Sequence, residues 1–198
     1  MKFSVSVLAL LLSVSLFASP DVGKAAPGFS LKGHDGKTYS LVDQKGKYVV
    51  LEWYNEGCPF VRKHYDSKNM QQLQETYGKK GVKWFTVISS APGKQGYVDA
   101  EKADELAKRE GMQVSAILFD PDGKVGKAYD AKTTPHMYVI GPKGNLLYKG
   151  AIDDKATADT DDIKGANNYV VAALDASMAG KPVKVASTRA YGCSVKYK

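Results

Sequence analysis

From Lys47 to His64 the chain passes from an apolar run through a Gly-Cys-Pro turn into a helix, and that junction limits the folds open to it. Lys47-Tyr-Val-Val-Leu-Glu-Trp-Tyr54 is rich in β-branched and aromatic residues, with too little polar alternation for a strand that is wet on one face. Such a strand belongs inside a sheet covered on both sides. The turn that follows leads into Phe60–Tyr77, which is helical in composition and closed by Gly78 and Gly81. A buried strand feeding a helix is the start of an α/β layer architecture.

The rest of the chain continues the alternation. Val82–Ile88 reads as a second strand, Ser89–Gly96 as a loop and Val98–Glu110 as a helix ending at Gly111. Ala116–Phe119 is a third apolar run, followed by the turn Asp120-Pro-Asp-Gly123 and a short helix through Ala128. His136–Ile140 and Asn145–Lys149 flank Gly141-Pro-Lys-Gly144, a hairpin signal. Asn168–Met178 is a last helix. Near the start, Phe29–Leu31 and Tyr39–Leu41 bracket a turn and predict a small leading hairpin. The expected fold is a central mixed sheet flanked by helices.

The first 19 residues read as a secretory leader. Lys2 is followed by an apolar stretch to Phe17, then by small Ala18 and Ser19 before Pro20. The apolar core is too short for an ordinary membrane span, and nothing later is long and apolar enough to be one. The expected organisation is a leader at 1–19, one domain at 20–180 and a tail at 181–198. The expected location is periplasmic or secreted. The formal charge of +7, from 28 basic against 21 acidic residues, is spread over scattered lysines. With no basic stripe interleaved with aromatics, nucleic acid is not an expected partner. The acidic run Asp153, Asp154, Asp159, Asp161 and Asp162 lacks the spacing of a calcium loop and is expected to be a solvated loop. Three histidines and two distant cysteines do not form a zinc set, so no metal or other cofactor is expected.

The chemistry concentrates at Cys58. A cysteine at a helix start meets unpaired N–H groups and the positive end of the helix dipole. Both favour the thiolate, which is the reactive form. Pro59 suits the first helical position because its missing N–H would have had no partner there. His64 is expected to be a surface histidine on a face turned away from Cys58, and His136 is a lesser candidate to pair with the sulfur.

These residues resemble the thioredoxin superfamily, in which an acid-bearing strand leads to Trp-Cys-x-x-Cys at a helix start. Cys58 stands at the first cysteine of that motif and Val61 at the second. Glu52 matches the superfamily's buried acid, which implies a proton relay, and Thr134-Pro135 matches its Thr-cis-Pro turn facing the active cysteine. The likeness covers about Ala26 to Gly180 and implies a thioredoxin-like fold.

A nearer likeness is to a peroxiredoxin-like redoxin group related to alkyl hydroperoxide reductase and thiol-specific antioxidant proteins. It is carried by Cys58-Pro-Phe-Val-Arg62, Asp120-Pro-Asp-Gly123, Tyr148-Lys-Gly-Ala-Ile-Asp-Asp154 and Gly192-Cys-Ser-Val-Lys-Tyr-Lys198. Classical peroxiredoxins have a threonine three residues before their peroxidatic cysteine, where this chain has Asn55. Where many relatives carry an extra cysteine just before Thr-Pro, it has Ala131, Lys132 and Thr133.

The resemblance implies an oxidoreductase acting on protein or small-molecule thiols and disulfides, with peroxide as a further oxidant. Its candidate catalytic residues are Cys58, Cys193, Glu52, Thr134 and Pro135. With Val61 in place of the vicinal cysteine, Cys193 is the internal candidate to resolve Cys58. Three arrangements fit the sequence: a stable bridge, a redox cycle, and two cysteines that never meet. Glu52 is open between a partly exposed strand glutamate and a buried acid.

Overall fold

The computed structural model describes residues 19–198. The leader expected at 1–19 therefore lies, except for Ser19, outside the described residues. Seven strands form one mixed sheet: β1 (Ser30–Gly33), β2 (Thr38–Ser40), β3 (Val49–Trp53), β4 (Lys83–Ile88), β5 (Ala116–Phe119), β7 (His136–Ile140) and β8 (Leu146–Gly150). Their order is β2-β1-β5-β4-β3-β7-β8. β3, β4 and β5 run parallel, while β7, β8 and the leading hairpin β1–β2 are antiparallel additions. This is the central mixed sheet flanked by helices that the resemblance implies.

β3 sits between β4 and β7, and all five of its residues are buried. Because successive side chains alternate across a strand, Val49, Leu51 and Trp53 enter one core while Val50 and Tyr54 enter the other, which also holds Cys58 and Val61. Glu52 therefore points to the Cys58 side of the sheet. It is wholly buried.

The helices are α1 (Pro59–Asp66), α2 (Asn69–Lys79), α3 (Ala100–Glu110), α4 (Lys124–Ala128) and α5 (Tyr169–Met178). The single helix expected over Phe60–Tyr77 is thus two. Lys68 takes a left-handed conformation with φ 62°, and Gln71 donates to the backbone oxygens of Tyr65 and Glu110, which binds the second helix across the first. α3 begins at Ala100 because Asp99 caps it, accepting from the Lys102 N–H at 3.0 Å. No helix among the described residues is long and apolar enough to cross a membrane.

A separate two-stranded sheet pairs β6 (Thr133–Thr134) with β9 (Cys193–Ser194) antiparallel, so the tail does lie back across the domain.

Candidate active site

Cys58 is the N-cap of α1. Its carbonyl accepts from the Val61 and Arg62 N–H groups at 2.9 Å each, and its own N–H donates to Asn55 O at 3.1 Å. The Asn55 side chain accepts from the Gly57 N–H at 3.0 Å. The residue at the peroxiredoxin threonine position therefore braces the turn.

Cys58 has no exposed surface. Its thiol donates to Thr134 O at 2.9 Å, and the Cys193 N–H donates to Cys58 Sγ at 3.4 Å. The Thr134–Pro135 bond is cis, and Thr134 lies opposite Cys193 in the β6–β9 register. Two further candidate residues, Thr134 and Cys193, thus bond to the Cys58 sulfur, although Cys58 and Cys193 are 135 residues apart. The structure places the two cysteines side by side as unbridged thiols. Burial, with the hydrogen bond and charge of Cys58, pushes the Cys193 thiol up to about 11.

Glu52 is close in sequence but bonded elsewhere. Trp84 Nε1 donates to it at 2.9 Å, the Tyr65 hydroxyl at 2.8 Å and Gln74 Nε2 at 3.3 Å. Its hydrogen bonds include none to Cys58. Burial raises its carboxyl to about 7, and these donors pull it only part of the way back.

The histidine expectations change. His64 is buried, because the returning tail covers the face that looked free. Asn69 Nδ2 donates to its Nδ1 at 2.9 Å, which leaves Nε2–H facing the Tyr191 hydroxyl at 3.3 Å. His136 does not join Cys58. Its Nδ1 accepts from the Lys132 N–H at 3.3 Å, its ring lies 4.6 Å from that of Tyr138, and burial lowers it to about 4. The acidic loop also departs from expectation at one residue: Asp153 is buried, with Lys63 Nζ 3.8 Å and His64 Nε2 3.9 Å from its Oδ2.

Sequence reasoning missed Tyr191 and Gly192. A Cβ on Gly192 would collide with the Thr134 carbonyl, and its φ of 138° suits glycine, so the tail crosses the cis-proline turn without a side chain. The Gly-Cys pair in the tail was the available signal.

Comparison with known proteins gives the family and the fold. The chain is similar to the thiol–disulfide oxidoreductase ResA of Bacillus thuringiensis subsp. konkukian, 26% identical over 130 residues, covering 64% of this chain and 68% of that protein. It is also similar to the peroxiredoxin Bcp of Bacillus subtilis, 26% identical over 132 residues, covering 55% of this chain and 84% of Bcp. A crystal structure of a conserved protein from Geobacillus kaustophilus superposes with a TM-score of 0.75 at 29% identity, over 90% of this chain and 93% of that one. The family model described as AhpC/TSA matches residues 22–149. This chain, with its thioredoxin-like sheet and its cysteine at a helix start, belongs to the AhpC/TSA family.

Proposed function

We propose that the protein is an exported thiol–disulfide oxidoreductase in which Cys58 is the nucleophile and Cys193 the resolving thiol. The observation that carries this reading is the Cys193 N–H on Cys58 Sγ, with β9 paired to the cis-proline strand. The leader pattern and the cysteine pair support a periplasmic or secreted location.

Because Cys58 is covered, a substrate first displaces β9 from β6. The Cys58 thiolate attacks one sulfur of the substrate disulfide, forming a mixed disulfide and releasing the other sulfur as a thiolate that takes up a proton. The tail returns, Cys193 loses its proton and attacks Cys58 Sγ, and the second substrate thiol leaves. The substrate has gained two electrons, and the protein holds a Cys58–Cys193 disulfide that an external dithiol reduces. Glu52 is wholly buried on the Cys58 side of the sheet, with its carboxyl raised to about 7. It is assigned as the proton store of the site, acting without a direct hydrogen bond to Cys58.

The similarity to Bcp supports a second reading with the same resolving step. Peroxide oxidises Cys58 to a sulfenic acid and leaves as an alcohol or water. Cys193 then condenses with it, releasing water. Against a dedicated peroxide pocket, the Arg62 guanidinium is turned to Glu110, at 2.9 Å, and to Asp66.

The test is turnover of a protein disulfide. Cys58→Ser is expected to fall to background. Cys193→Ser is expected to lose roughly 100-fold in turnover and to accumulate mixed disulfides, because resolution by an external thiol lacks the intramolecular advantage. Unchanged turnover in Cys193→Ser would overturn the assignment of the resolving thiol. Oxidation of Cys58 by hydrogen peroxide, no faster than a free thiol, would remove the second reading.

A further inference from the structure

Two tyrosines hold the tail on either side of Cys193. Tyr197, four residues beyond it, donates its hydroxyl to Ala131 O at 2.7 Å and lies over Gly123 and Gly126, where a Cβ would strike its ring. Tyr191, two residues before it, has a more elaborate seat. Its ring meets Phe60 edge-on at 5.8 Å between centroids, with Lys63 Nζ 5.7 Å above it. Its hydroxyl donates to Asp153 Oδ1 at 2.5 Å and stands 3.3 Å from His64 Nε2.

The hydrogen bonds run in one sense. Asn69 donates to His64 Nδ1, His64 Nε2–H faces the Tyr191 oxygen, and the Tyr191 hydroxyl donates its hydrogen bond to Asp153. Phe60, Lys63 and His64 all belong to α1, the helix that starts immediately after Cys58. The element that presents the first sulfur therefore also carries the socket for the residue next but one to the second.

We propose that Tyr191, seated against Asp153 and His64, is the positioning residue that sets Cys193 on Cys58, so that the docked tail is a latch whose closure makes the second thiol an intramolecular reactant. Gly192 is the connecting residue. With no side chain it passes directly over the Thr134 carbonyl, so the place of Tyr191 fixes the place of Cys193. This inference rests on the thiol–disulfide reading and deepens it. With the latch open, Cys58 meets a substrate disulfide. With the latch closed, the Cys193 thiolate forms its bond to Cys58 Sγ while the substrate sulfur leaves with the electron pair and takes a proton from solvent.

The experiment uses the full mature chain and two readouts. The first is the equilibrium of the Cys58–Cys193 disulfide against glutathione, which measures the effective concentration of Cys193 at Cys58. The second is the iodoacetamide alkylation rate of Cys58 in a Cys193→Ser background, which measures how often the tail lifts. Tyr191→Phe keeps the ring and removes the hydroxyl that bonds to a charged acceptor. It is expected to lower the effective concentration roughly tenfold or more and to speed alkylation by a similar factor, with an unchanged near-UV spectrum. Both quantities unchanged would overturn the proposal.

If Tyr191→Phe fails to fold, Asp153→Asn keeps the shape of the seat, removes the charge that accepts the Tyr191 hydroxyl and is expected to produce the same two changes; no change there overturns the proposal equally. A wild-type protein that never forms the Cys58–Cys193 disulfide in any glutathione mixture would instead sink the resolving role of Cys193. The alkylation readout would still decide the latch.

Discussion

Helix α1 turns one side to a buried acid and another to a buried ion pair, and the two sites satisfy their charges in different ways. Glu52 is met by three neutral donors, Trp84, Tyr65 and Gln74, and burial holds its carboxyl near 7. Asp153 has a cation nearby in Lys63, while the adjacent His64 is driven down to about 3 by burial and by Lys63, so it stays neutral. An interior acid needs either a countercharge or a proton. Asp153 has a countercharge beside it, while Glu52 has none and its carboxyl is raised to about 7. The ion pair is loose: Lys63 donates to Lys155 O at 2.7 Å, and Asp153 Oδ2 has no hydrogen-bond partner.

The strongest way to break the comparison is Lys63→Met, which leaves Asp153 buried without its countercharge. The expected loss is about 3–5 kcal/mol in urea unfolding, the cost typical of halving a buried pair. A loss below about 1 kcal/mol would mean that Asp153 does not depend on Lys63. Next is Glu52→Gln, read as the difference in stability between variant and wild type across pH. Glu52 titrates near 4.5 when unfolded and near 7 when folded, so the folded state holds the extra proton between those values. Its contribution is fully present below about 4.5 and is lost as pH rises through 7, by about 3 kcal/mol. The difference curve should therefore rise over that window and then flatten. His64 and His136 act in the opposite sense, with stability lost as pH falls below 6.5, and they cancel in the difference.

Much of this layout was legible because local pattern and tertiary role agree. β3, β4 and β5 are apolar runs covered on both faces, and the β7–β8 hairpin announces its turn at Gly141–Gly144. Cys58 was readable from its place between Gly57 and Pro59. What stayed hidden depends on chain returning from far away. Residues 60–77 look continuously helical, and the break at Lys68 is completed by Gln71 reaching Glu110 on another helix. His64 was placed on the surface by counting around a helix, which gives an angle but not what packs there. Glu52 was open between an exposed and a buried acid, and only the fold shows that Tyr65, Trp84 and Gln74 close over it. Whether Cys193 meets Cys58 was left open, as a bridge, a cycle or no contact, because nothing local to either cysteine encodes a contact across 135 residues.

The smallest expected effect sharpens the same contrast from inside the Glu52 site. Tyr65→Phe keeps the ring, which packs edge-on against Tyr54 at 5.1 Å, and removes one donor to the carboxyl. Above pH 7 Glu52 is ionised, and the lost bond is one to a charged acceptor, costing about 2 kcal/mol. At pH 5 the carboxyl is protonated and the bond is an ordinary neutral one, costing about 1 kcal/mol. The variant should therefore be less stable at both values, with a penalty about 1 kcal/mol larger at pH 8, and Glu52 should hold its proton to a still higher pH. Unfolding curves at pH 5 and pH 8 measure both penalties. Equal penalties would mean that the Tyr65 hydroxyl does not distinguish the two charge states of Glu52, and the picture of an acid tuned by neutral donors would then rest on Trp84 and Gln74 alone.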